Sequence, residues 1–92
     1  MRRYPEFFGE GELDLVYMAR RLQEALRLEG LLTEEGIEYL VETGEYTGGL
    51  LMRRQLTGAF FYVAEQDVAR TRDLLLKHRY KPYDAESDAR GS

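Results

Sequence analysis

The stretch Gly58-Ala59-Phe60-Phe61-Tyr62-Val63 sets three aromatic residues and a β-branched one in succession behind a glycine. Such side chains suit a pleated, packed surface, and a short apolar run bounded by a turn residue reads as a strand. This is the most strand-like segment of the chain, so it is expected at the centre of a sheet. Immediately downstream the periodicity changes. Glu65 and Asp67 lie in the first turn of an expected helix over 65–79, and Lys77, His78 and Arg79 lie in its last, each end matching the helix dipole. Pro82 prevents that helix from continuing.

Upstream of Gly58 the chain reads as a strand, a helix and a second strand. Leu13, Leu15 and Tyr17 alternate with Asp14, Val16 and Met18, the period-2 pattern of a strand. A helix over 19–35 follows, with Met18, Leu22, Ala25 and Leu32 as a stripe flanked by Leu26 and Leu28. Gly30 inside it costs about 1 kcal/mol relative to alanine, a cost that close approach of helix to sheet would explain. Gly36 stops the helix by taking the left-handed conformation, which lets Ile37 fold back onto Leu32. Ile37, Tyr39 and Val41 then alternate with Glu38, Leu40 and Glu42 in a strand over 37–43. Residues 44–49 read as a glycine-rich loop, 50–54 as a short extra strand or part of a long hairpin arm, and Gly58 as a turn.

The order β-α-β-β-α predicts an α+β domain of ferredoxin-like type, a two-layer sandwich with two helices on one face of a small mixed sheet. The third strand fits between the first two, antiparallel to both. Tyr80 to Tyr83 is placed as a rudimentary fourth strand beside the first, where Pro82 is tolerable at an edge. The helices are expected to bury Leu13, Leu15, Ile37, Tyr39, Val41, Phe61 and Val63. The other face then carries Val16, Leu40, Phe60 and Tyr62, a cluster that calls for a cover. The candidates are the aromatic arm 1–11 (Tyr4, Phe7, Phe8), a second copy of the chain, or a protein partner. The single domain spans 12–83, and the polar residues 84–92 read as a disordered acidic tail.

The stretches VYMARRLQEALRLEGLLTEEGIEYLVE (16–42) and GAFFYVAEQDVARTRDLLL (58–76) resemble a family of small bacterial domains labelled signal-transducing proteins, which have a PII-like, ferredoxin-type fold. The shared features are a strand, a helix rich in Glu, Ala and Leu, the Glu-x-Gly-Ile junction, and a strand leading into an acidic helix start. The resemblance covers about half the chain and implies regulation. Segment 43–57 and the aromatic arm depart from the family pattern.

Composition narrows the chemistry. The 92 residues suffice for one domain. The absence of cysteine removes disulfides, thiolate metal sites and cysteine nucleophiles, and it suits the cytoplasm. The longest apolar runs are too short to span a membrane. A net charge of -4 repels phosphate backbones, so no nucleic-acid partner is expected. Ser87 and Ser92, the only serines, lie in the tail, and His78 is the sole histidine, so neither a serine triad nor a transition-metal site is supported. Glu34, Glu35, Glu38, Glu42 and Glu45 read as a solvated acidic face rather than a cation site. Arg20 and Arg21 oppose the dipole of the first helix, a violation that salt bridges to Glu24 would relieve.

The expectation is a non-enzymatic regulatory or protein-interaction module without cofactor or metal, forming a homodimer through Val16, Leu40, Phe60 and Tyr62. The alternative is a sensor of small anions, with Tyr46, Thr47, Arg53 and Arg54 as the binding residues of the 44–54 loop, where paired arginines flank backbone donors. A chain ending at Tyr83 is expected to melt at the same temperature as the full chain, since 84–92 has almost nothing apolar to bury. Removal of residues 1–9 is expected to lower the melting temperature, and calorimetry of the two truncations checks both.

Overall fold

The computed structural model describes residues 1–9, 11–48 and 54–83, with the side chains of 46–48 and 54–56 outside that description. Three strands, β1 (Leu13–Ala19), β2 (Tyr39–Gly48) and β3 (Arg54–Ala64), form a sheet in the order β1-β3-β2, with β3 antiparallel to both neighbours. The aromatic run 59–63 therefore holds the central position, as its composition requires. Three helices accompany the sheet: α1 (Pro5–Phe8), α2 (Leu22–Glu34) and α3 (Val68–Lys77), the last preceded by a single 3₁₀ turn, Glu65–Asp67.

Both long helices pack on one face. Ala25, Leu28 and Leu32 of α2 and Leu74 and Leu75 of α3 share a core with Ile37, Tyr39, Phe61 and Val63, in which Leu28, Leu32, Phe61, Val63 and Leu75 have no exposed surface. The α2 stripe is shifted from the expected one. Ala19 and Met18 belong to β1, while Leu22 and Leu26 are exposed and Leu28 is buried. Tyr39 reaches through this core to donate a 3.0 Å hydrogen bond to the Glu29 carboxylate. Thr71 is wholly buried, and its Oγ1 finds no partner among the described residues.

A β-bulge reverses the expected faces of β1. Leu15 pairs with Tyr62 and Tyr17 with the adjacent Phe61, so Val16 is one residue more than β3 supplies. Val16 turns into the core at 1% exposure, together with Ala19, and Tyr17 packs against that core. Leu13 and Leu15 instead share a face with Ala64 and Tyr62, opposite the helices. The expected burial of Leu13 and Leu15, and the expected place of Val16 on the open face, are both overturned by this one inserted residue.

The hairpin is also longer than expected. Residues 44–48 lie in β2 rather than in a loop, and Gly58 is a mid-strand residue paired with Gly44, not a turn. The glycines are accommodated because the Phe60 ring lies on Gly44, where an added Cβ would come within 2.9 Å of it. Since β1 pairs with β3 only as far as Ala59, residues 44–48 and 54–58 continue as a two-stranded ribbon about 17 Å long. The connecting residues 49–53 lie outside the described residues, as does the tail 84–92.

Two helix ends show the same stop with opposite residue choices. Gly36 has φ +72°, and Ile37 donates to the Leu32 carbonyl at 2.9 Å, the expected termination of α2. At the end of α3, Arg79 holds φ +67° while Tyr80 donates to the Leu75 carbonyl at 2.8 Å, the same motif without glycine. Residues 80–83 then run beside β1, where Tyr83 donates to the Val16 carbonyl at 2.7 Å and Tyr80 meets Tyr17 edge-on at 5.5 Å. One backbone bond makes this a contact rather than a fourth strand. Burial, helped by Glu24, pushes the Tyr17 hydroxyl up to about 12. In chemical denaturation Arg79→Gly is expected to stabilise the fold by about 0.5–1 kcal/mol, since glycine relieves the left-handed strain. Gly36→Ala is expected to destabilise it by about 1 kcal/mol for the same reason.

Candidate functional site

The open face of the sheet is built by register. Leu15, Tyr62 and Leu40 are cross-strand partners in one row, and Met18, Phe60 and Glu42 in the next. Leu13 continues the β1 side of the same face. Six apolar side chains thus lie where no helix of the two-helix layer reaches. Leu40 is nonetheless 6% exposed, while Leu13, Leu15, Met18, Phe60 and Tyr62 remain half-buried. Burial, with the Glu42 carboxylate as a second cause, raises the Tyr62 hydroxyl above its ordinary range, so Tyr62 stays neutral on this surface.

The N-terminal arm lies along one edge of the sheet. Its first residues add to the outer edge of β2 in parallel: Tyr39 donates to the Met1 carbonyl at 3.1 Å and accepts from Arg3 N–H at 2.7 Å. Alternation sends Arg2 to the helix side, 3.9 Å from Glu29, and Arg3 to the open side, where its Nε donates to Glu38 at 2.6 Å. The Phe7 ring lies 4.4 Å from the Arg3 guanidinium carbon and meets Phe8 edge-on. β1 lies at the far edge of the sheet, so residues 4–12 must traverse its width, about 14 Å for three strand spacings. Tyr4 and Phe7 remain 82% and 53% exposed, so these two aromatic side chains of the arm are not buried on the sheet.

Of the four residues assigned from sequence to an interface, Leu40, Phe60 and Tyr62 therefore share one surface and Val16 does not. Leu13, Leu15 and Met18 join that surface instead, and only the bulge, which has no sequence signal of its own, puts the two leucines there. In the anion-binding assignment, Tyr46 and Thr47 are strand residues paired with Leu56 and Gln55, and Arg54 pairs with Gly48. Their side chains, and Arg53 altogether, lie outside the described residues. The acidic stretch 34–45 is divided, with Glu38 committed to Arg3, and among the described residues no three histidine or carboxylate groups converge as a metal site. No described helix is long and apolar enough to cross a membrane.

No protein family, curated protein or solved structure matches the chain.

The hydrogen bond from Arg3 holds the Glu38 carboxyl below the usual carboxylate range. A carboxylate depressed in the folded state contributes stability above its unfolded value and loses it as pH falls through the folded one. Acidification below the ordinary carboxylate range is therefore expected to release the arm. The Arg3 Nε–H resonance should lose its hydrogen-bonded shift in that window, and Glu38→Gln should abolish the transition.

Proposed function

We propose that this chain is a non-enzymatic regulatory or interaction module of ferredoxin-like type that self-associates through the open sheet face. The observation that carries this reading is the row of half-buried apolar side chains, Leu13, Leu15, Met18, Phe60 and Tyr62, on a face without a helical layer. Contiguous apolar surface of this kind is characteristic of association sites. Sheet faces of two copies pack about 10 Å apart with interdigitating side chains, and flat aromatic groups such as Phe60 and Tyr62 contribute most to such contacts. A dimer is the simplest closed arrangement, since an isologous contact satisfies the same patch on both copies.

What supports the ferredoxin-like part of this reading is the strand order β1-β3-β2 with two helices on one face, while the PII-like part rests on the resemblance of segments 16–42 and 58–76 alone. Signal transduction in the cytoplasm is the role this reading assigns, where a chain without cysteine needs no disulfide. A second reading, a sensor of small anions, is favoured by the ribbon 44–48/54–58. It projects beyond β1 and has Arg54 at its last described pair, with Arg53 preceding it in the sequence.

Light scattering of the wild-type chain is expected to give a dimer, and Phe60→Glu a monomer with unchanged far-ultraviolet circular dichroism. Because Phe60 also covers Gly44, Leu15→Glu serves as an independent variant and should dissociate the dimer equally. A monomeric wild-type chain at high concentration would overturn the reading.

A further inference from the structure

A groove unrelated to the open face runs between α2 and the turn that ends α3. It is a shallow, solvent-open groove of about 620 Å³, lined by Arg27, Gly30, Leu31 and Glu34 from one stripe of α2 and by His78 and Tyr80 from the turn. Arg70, near the start of α3, donates to the Glu35 carbonyl just past the end of α2, so the two helices run antiparallel. His78, at the other end of α3, therefore lies toward the Arg27 end of the groove and away from Glu34. Arg27 and Glu34 are two turns apart on α2, about 10 Å.

Three features of this groove are costly or unused for folding. Gly30 sits inside α2, where glycine favours the helix less than any residue but proline. The close helix-to-sheet approach expected of it is absent: a Cβ at Gly30 would meet nothing within 4 Å, so the glycine leaves the groove floor open instead. Arg79, between the two lining residues His78 and Tyr80, keeps a strained left-handed backbone where glycine is usual. The side chains of Arg27 and His78 have no hydrogen bond or ion pair among the described residues, whereas those of Arg70 and Arg72 are engaged with the Glu35 and Tyr83 carbonyls. Residues that local physics disfavours are characteristic of functional surfaces.

Charge selects the occupant. The run Lys77-His78-Arg79-Tyr80-Lys81 holds both lysines of a chain whose net charge is -4, and Arg27 faces it across the groove. Between the basic end and Glu34 the floor is apolar, formed by Leu31, the bare Gly30 backbone and Tyr80. We propose that this groove binds a small organic anion, with a phosphate or carboxylate held by Arg27 and His78 and an apolar body laid over Gly30 against Leu31 and Tyr80. Glu34 excludes a second negative charge at the far end. A charge-assisted contact from a guanidinium supplies orientation on this open surface.

The test is a titration of the full-length chain with phenyl phosphate, followed by backbone amide shifts. Saturable shifts confined to Gly30, Leu31, His78 and Tyr80 are expected, with inorganic phosphate binding more weakly. Arg27→Ala should weaken phenyl phosphate about tenfold, the loss of one charge-assisted contact. Gly30→Leu fills the groove while favouring the helix, so it should abolish binding without lowering the melting temperature. Scattered or non-saturating shifts, binding that survives Gly30→Leu, or inorganic phosphate binding as tightly as phenyl phosphate would each overturn the proposal.

Discussion

The structure depends on β3 being paired along both edges while Phe61 and Val63 lie fully buried beneath both helices. A strand so apolar is stable only where neither edge nor helix-facing surface meets water, and that requirement places everything else. β1 and β2 must flank it, α2 must cross between them, and α3 must return over Phe61. The two helices then have a single face on which to bury their stripes. The opposite face inherits whatever the alternation leaves, and in β3 that is Phe60 and Tyr62.

Much of this order was legible because local signals agreed with one another. Gly36 followed by Ile37 specifies a helix stop through backbone conformation and a hydrophobic contact at once, and both are present. The central place of 59–63 follows from its side chains alone. The face assignment of β1 was not legible, for a physical reason. Leu13, Leu15 and Tyr17 are about as apolar as Val16 and Met18, so the hydrophobic preference rests on Asp14 alone, and the bulge pairs Asp14 with Val63 against that preference. An inserted residue can then exchange the sides without exposing more apolar surface. The glycines at 44 and 58 misled in a different way. Glycine is a turn residue because it tolerates unusual dihedrals, but here its use is the absence of a side chain, which gives the Phe60 ring a place to lie. The shared surface of Leu40, Phe60 and Tyr62 was legible from strand alternation, the place of Leu13 and Leu15 beside them was not, and the groove beside α2 was invisible, since Gly30 and His78 meet only in three dimensions.

The N-terminal arm shows how a charge pair and a backbone ladder can reinforce each other. Parallel pairing at Tyr39 fixes the alternation of Arg2 and Arg3, and alternation sends one guanidinium to each side of the sheet. Glu29 receives one and Glu38 the other. An exposed ion pair contributes little by itself, but these two act on a segment already held by backbone hydrogen bonds, so less side-chain freedom is lost in forming them. The arm thereby gains a defined place against the backbone of the core residues Ile37 and Tyr39.

The long ribbon of β2 and β3 also bears on the order in which the chain assembles. Its pairs close across a few residues near the tip, whereas each β1–β3 pair joins positions about forty or more residues apart, a far larger loss of chain entropy. Zippering of the ribbon is thus the fast event, and β1, although made first on the ribosome, has to wait for β3. During that interval Val16, Ala19 and the helix α2 that follows them have no sheet to dock on. Registration of β1, with its extra residue at Val16, therefore depends on β3 being in place.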